Sequence, residues 1–142
     1  MKIYFDSTFL VSLYSPDANS AAAAVARLGV PGERLITSFG QLEVVNAFRL
    51  RVFRKEISAA QAEASTAGLA RDLRDGIFQL LPLPEEVFGR ALVLSRRTTA
   101  RLGTRTPDLL HVAAALLLGA DHLYSFDVQQ RRLANAVHLK LN

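Results

Sequence analysis

The side chains best suited to chemistry in this 142-residue chain are carboxylates. Cysteine is absent and there are three histidines, which removes disulfide staples, thiolate metal sites and cysteine nucleophiles. Four of the 13 acids stand apart by position: Asp6, Glu43, Asp108 and Asp127. No rigid linear spacing joins them, so only a fold can bring them together. Once gathered, they would repel one another unless a cation sat among them. An all-oxygen donor set suits Mg²⁺ or Mn²⁺, which keep several waters and share substrate phosphates. The matching chemistry is phosphodiester hydrolysis, in which the ion neutralises the phosphate and activates water, and no protein nucleophile is needed.

The elements that must position these acids follow from the punctuation of the chain. Lys2–Phe5 reads as a buried strand, and Ser7 or Thr8 to Tyr14 as a short helix broken by Ser15-Pro16-Asp17. Asn19 can cap a helix to Leu28, closed by Gly29. Arg34–Thr37 is a strand, and Phe39 to Lys55 a long helix. Ser58 with Gln61 is a capping-box pattern, opening a helix that stops near Gly76. Ile77–Leu81 is a strand, and Pro84 with Glu85 and Glu86 opens a helix to Leu102. Thr106-Pro107 opens another, ending at Gly119. His122–Ser125 (strand), Asp127–Ala136 (helix) and Val137–Leu139 (strand) complete the chain. Strands separated by helices predict right-handed crossovers and an α/β fold: a three-layer α/β/α sandwich with a mainly parallel central sheet, in one domain over residues 1–142. Such sheets carry their sites at the carboxyl ends of the strands. Asp6 and Asp127 follow strands directly.

Each acid also has a plain structural reading. Asp127 with Gln130 resembles a helix cap and its reciprocal partner. Asp108, in Thr106-Pro107-Asp108, sits where an acid near a helix N-terminus gains about 0.3–1 kcal/mol. Asp6 can cap the helix after it. Glu43 lies too deep in its helix to cap it. Val44, Val45, Phe48 and Val52 share the apolar face, and Glu43, Asn46, Ala47 and Leu50 the opposite one, so its plain reading is a solvated face. His111, one turn after Asp108, can support the site or contact a phosphate, or simply be a hydrogen-bonded histidine in an apolar helix. Asn46 stands in the same relation to Glu43.

The net charge is +4. Basic residues group at Arg49, Arg51, Arg54 and Lys55, at Arg96, Arg97, Arg101 and Arg105, and at Arg131 and Arg132. They would suit RNA phosphates or, individually, ordinary solvated surface. Arg105 is the best single candidate, being next to the Thr-Pro-Asp segment. Phe39 and Phe126 can stack on unpaired bases or belong to the core. The longest apolar run, Leu109 to Ala120, is broken by His111 and falls short of the roughly 18–20 residues a membrane span needs. Asp6 falls inside what would be a signal-peptide core, so the expected location is the cytoplasm. Dinucleotide, Walker-type and G-x-S-x-G motifs are missing. Asp6-Ser7-Thr8 superficially suits a phosphoaspartyl enzyme, but the second aspartate of that motif would be Thr8.

Four segments, IYFDST, TSFGQLEVVNAF, TPDLLHVAAAL and LYSFDVQQRRLA, together resemble the PIN-domain family, and within it the VapC-type ribonuclease toxins. The resemblance spans essentially the whole chain. It implies a parallel sheet between helices and divalent-metal-dependent cleavage of RNA. Its acidic set falls on Asp6, Glu43, Asp108 and Asp127, as metal ligands and catalytic groups. The polar residues after the first acid fall on Ser7 and Thr8, the one ahead of the glutamate on Ser38, and the one before the last acid on Ser125. A further acid shortly after the last aspartate, present in some members, is replaced by Val128, Gln129 and Gln130. The resemblance also implies a cognate antitoxin and a homodimer. Two alternatives stay open: a catalytically weak or silent RNA- or protein-binding module, and a nuclease of this type acting outside a toxin–antitoxin system.

Overall fold

The computed structural model describes residues 1–142 apart from the Leu28 side chain. Its strands are β1 (Lys2–Phe5), β2 (Glu33–Thr37), β3 (Gln79–Leu81), β4 (His122–Tyr124) and β5 (Lys140–Leu141). They form one parallel sheet in the order β3-β2-β1-β4-β5. The chain builds outward from β1 to β3 and then returns to the other side of β1. That reversal opens a crevice beyond the carboxyl ends of β1 and β4, the usual place for a site in such sheets.

The helices are α1 (Ser7–Tyr14), α2 (Ser20–Gly29), α3 (Ser38–Phe53), α4 (Ala59–Arg74), α5 (Val87–Leu94), α6 (Ala100–Leu102), α7 (Thr106–Leu117) and α8 (Val128–Ala136). Successive strand residues point to opposite faces, and this sorts the core into two layers. Ile3, Phe5, Ile36 and Tyr124 pack with α1 to α4 through Phe9, Leu10, Ala23, Val44, Phe48 and Leu69. Tyr4, Leu35 and Leu123 pack with α5, α7 and α8 through Val87, Leu94, Val112, Ala113 and Leu133. The expected three-layer α/β/α sandwich is present. Among the described residues, no helix is long and apolar enough to cross a membrane.

Several boundaries differ from the sequence reading, each for a local reason. Val137–Leu139 is not a strand. The amides of Val137, His138 and Leu139 return to the carbonyls of Ala134 and Asn135, and His138 takes a left-handed φ of 64°, so these residues end α8. The last strand is Lys140–Leu141 instead. Ile77 and Phe78 precede β3 rather than starting it, because both amides turn back to the Asp72 carbonyl. The segment at Pro84 is first a turn, closed by the Val87 amide on the Pro84 carbonyl at 3.0 Å, and the helix begins at Val87. That helix reaches Leu102 through a π-helical turn at Ser95–Thr99. There the Thr98 hydroxyl donates to the Leu94 carbonyl at 2.7 Å. α3 ends at Phe53, with Lys55 in the left-handed region. Asn19 makes no side-chain cap on α2; its own amide donates to Asp17 at 2.8 Å.

Candidate active site

Three of the four acids are placed by helix starts. Asp6 leaves β1 and caps α1, accepting from the Phe9 amide at 2.8 Å. Asp127, after β4, caps α8 through the Gln130 amide at 2.8 Å. Asp108, in the first turn of α7, accepts from the Arg105 amide at 2.9 Å. The capping readings are therefore literal, and they fix where these carboxylates point. Glu43 comes from within α3, opposite the buried Val44 and Phe48.

Asp6 is fully buried. Besides the Phe9 amide, it accepts from Thr8 Oγ1 at 2.8 and 3.0 Å, Ser125 Oγ at 2.5 Å and Gln130 Nε2 at 2.8 Å. Burial pushes its carboxyl above the usual carboxylate range, against the pull of the Ser125, Phe9 and Thr8 hydrogen bonds. Ser125 Oγ also accepts from the Asp127 amide at 3.0 Å. Thr8 Oγ1 likewise accepts from the Phe126 amide at 3.0 Å. The ends of β1 and β4 are thus sewn together around Asp6.

The side chain of Asp108 is buried and that of Asp127 is one-fifth exposed. Arg105 joins them: its Nε lies 3.5 Å from Asp108 and its NH2 group 3.2 Å from Asp127. Asp108 first, then Asp127 and Glu43, hold the guanidinium pKa above its ordinary value. Glu43 Oε1 meets His111 Nε2 in a short contact, and His111 Nδ1 lies 2.9 Å from the Tyr4 hydroxyl. That hydroxyl is in turn 3.1 Å from Thr37 Oγ1.

Beside Glu43 and Asp127 runs a cleft of about 570 Å³, lined also by Ser7, Thr8, Asn46 and Phe126, with Arg51 and Arg54 along it; the buried Asp6 and Asp108 lie behind its lining. Phe126 stacks on Phe9 with ring centroids 5.2 Å apart, whereas Phe39 packs against the His111 ring. Arg51 is tied to Ser15 and Asp17. Ser38 is exposed at the first turn of α3, and its neighbour Thr37 takes the buried place instead. Tyr4, Thr37 and Gln130 were missed in the sequence. Gln130 does not complete the cap on Asp127 with its side chain, which goes to Asp6. A tyrosine among Ile3 and Phe5 was the signal available for Tyr4.

The donor set suits a hard cation by its chemistry. All four side chains offer oxygen only, and Asp108 and Asp127 already share one positive charge. That charge belongs to a side chain 67% exposed to solvent, free to swing away. As the side chains stand, no three of the His, Asp and Glu groups among the described residues converge closely enough to share one ion. An ion held by these acids would therefore need Arg105 to yield and the carboxylates to close in.

A family model described as PIN domain matches residues 3–136. Among solved structures, VapC20 of Mycobacterium tuberculosis, described as a sarcin-ricin loop cleaving toxin, is 17% identical with a TM-score of 0.70, covering 92% of this chain and 93% of its own. VapBC2 of Rickettsia felis, bound to a DNA fragment from its promoter, is 16% identical with a TM-score of 0.69, covering 100% and 98%. A toxin–antitoxin complex from Klebsiella pneumoniae is 17% identical with a TM-score of 0.61, covering 90% and 88%. No curated protein sequence matches the chain.

Proposed function

The chain belongs to the PIN domain family, and from that premise we propose that it is a divalent-metal-dependent endoribonuclease acting as the toxin of a toxin–antitoxin pair. One observation supports this reading: Glu43 and Asp127 line one cleft, Arg105 bridges Asp127 to the buried Asp108, and Ser125 ties the end of β4 to the buried Asp6. Asp6, Glu43, Asp108 and Asp127 would hold Mg²⁺ or Mn²⁺. Such an ion supplies positive charge against the scissile phosphate and activates water. Glu43 turns one carboxylate oxygen to His111, which leaves the other for the ion or for orienting the attacking water. Thr8 and Ser125 hold Asp6 in place, and Ser7 and Asn46 line the wall. Arg54 and a displaced Arg105 suit phosphate oxygens. The Phe126 ring, backed by Phe9, suits an unpaired base, a contact of about 1–3 kcal/mol where such stacking has been measured.

The toxin part of the proposal is supported by the toxins and toxin–antitoxin complexes that share the fold. It entails an antitoxin partner, a homodimer and action in the cytoplasm. The test is cleavage of tRNA and rRNA fragments by the purified protein, abolished by EDTA, restored by Mg²⁺ or Mn²⁺, and lost in Asp6→Asn. An unchanged rate in Asp6→Asn sinks the mechanism. Mn²⁺ titrations that coincide for wild type and Asp108→Asn would mark a silent binding module instead.

A further inference from the structure

Three polar side chains, Tyr4, Thr37 and His111, lie in the core at 0–1% exposure. Their neighbours on α7 are the buried Leu109, Leu110, Val112 and Ala113. Burying such groups is costly unless every donor finds an acceptor. Their hydrogens can be counted. The Gly40 amide donates to Thr37 Oγ1 at 3.2 Å. The hydrogen on Thr37 itself has one acceptor in reach among the described residues, the Tyr4 hydroxyl oxygen at 3.1 Å. Tyr4 must then send its own hydrogen to its other partner, His111 Nδ1, at 2.9 Å. Nδ1 is thereby the accepting nitrogen, so the ring proton sits on Nε2 and points at Glu43 Oε1. The opposite order would leave the Thr37 hydrogen without an acceptor in the core.

We infer that Thr37, Tyr4 and His111 form a one-directional hydrogen-bond relay that fixes His111 as an Nε2–H donor to Glu43. They are positioning residues: they hold one oxygen of Glu43 and aim the other, Oε2, into the cleft. Two further features of the structure agree. Phe39, with its ring centroid 5.0 Å from that of His111, and Tyr4, at 5.8 Å, clamp the imidazole plane. Burial also holds the Tyr4 hydroxyl well above the ordinary tyrosine range, so it keeps the proton it donates. The relay ends at Glu43, whose side chain is 26% exposed. Its one outlet to solvent is therefore the candidate site.

The positioning role rests on the nuclease reading; the proton order does not. The test accordingly has two arms on the full-length protein. In the metal-free protein carrying isotope-labelled histidine, long-range proton–nitrogen correlation at neutral pH should show His111 protonated on Nε2 alone. A proton on Nδ1, or on both nitrogens, overturns the relay. In the second arm, Mn²⁺ is titrated into wild type, His111→Leu and His111→Gln, with melting curves confirming the fold. His111→Leu fills the space without the donor and should bind Mn²⁺ about 10–100-fold more weakly, the usual loss when a ligand's hydrogen-bond partner is removed. His111→Gln keeps an N–H for Glu43 and should recover part of that loss. On RNA, kcat should fall in His111→Leu while KM stays. Wild-type Mn²⁺ affinity in His111→Leu overturns the positioning role. A wild-type protein that neither binds Mn²⁺ nor cleaves RNA overturns the nuclease reading, and the histidine spectrum then decides the relay on its own.

Discussion

Replacing Arg105 by glutamine should make the protein less stable and its metal site tighter. The guanidinium contacts Asp108 at 3.5 Å and Asp127 at 3.2 Å. Two unit charges about 4 Å apart interact by roughly 4 kcal/mol at an effective dielectric near 20, but by about 1 kcal/mol in water. With 67% of the Arg105 side chain in solvent, the watery limit governs, and exposed pairs are worth about 0.2–1 kcal/mol each. Two such pairs give about 0.5–1.5 kcal/mol in total. Arg105 contributes this only while no ion is bound, since the same carboxylates must turn to the ion. The metal-free variant should therefore lose about 0.5–1.5 kcal/mol of unfolding free energy. By linkage its Mn²⁺ affinity should rise by the same amount, about 2–10-fold. Urea denaturation of the metal-free protein and calorimetric titration with Mn²⁺, at one ionic strength, measure the two halves. Weaker Mn²⁺ binding in the variant, or an unchanged affinity beside a clear stability loss, would refute the displacement argument.

Glu43→Gln should lower kcat by about 100-fold or more, the scale of a lost acid–base or water-orienting group, with an unchanged melting curve; its amide oxygen still accepts from His111. Asp72 bears on pH dependence. Burial pushes its carboxyl up, but hydrogen bonds from Arg27 and Tyr14 and the charge of Arg27 outweigh it and hold the pKa below the usual range. A folded pKa below the unfolded one, near 3.9, means its stabilisation is present above that value and is lost as pH falls through the folded value. Asp72→Asn should thus be less stable than wild type at neutral pH, and the gap should close in urea melts below about pH 4. Gly32→Ala should cost about 1–3 kcal/mol in the same assay, because Gly32 has φ +134° and a Cβ there would meet the Met1 carbonyl oxygen at 2.4 Å.

Four of the five strands and most helices were legible because their signals are local. Ser58 and Gln61 form the capping box their spacing predicts, and Gly76 and Gly119 end helices in left-handed conformations. The positions of three of the four candidate acids were legible because they sit at helix starts, where position in sequence is position in space. The relay was not. Tyr4, Thr37 and His111 come from β1, β2 and α7, and the link between Tyr4 and His111 spans 107 positions. A strand tyrosine carries no sign of the partner its hydroxyl will find. The fate of Ser38 shows the same limit. Serine and threonine side by side where β2 gives way to α3 look equivalent in sequence, and only the start of the helix makes Thr37 its buried cap and leaves Ser38 exposed. Val137–Leu139 misled for a different reason: an apolar run closing a helix reads like one starting a strand.

The capping geometry of three acids is compatible with the catalytic role proposed for them. Asp6 and Asp127 are N-caps, and Asp108 lies in a first turn. Each is therefore tied to backbone amides at the positive end of a helix, where a carboxylate gains about 0.3–1 kcal/mol. The three helix N-termini offset part of the repulsion among the acids, and Arg105 offsets more. The cluster can thus persist before any ion arrives. Caps also restrict the carboxylates to narrow orientations, which a loop would not. Setting aside these four acids leaves 9 acidic against 17 basic residues on the rest of the chain. An acidic crevice in a basic shell suits a cation within and a polyanion around it. On the proposed function, added salt should weaken RNA binding far more than Mn²⁺ binding, since surface arginines would meet phosphates while the ion would meet carboxylates that are largely buried. Equal salt slopes for the two ligands would contradict that division of the charge.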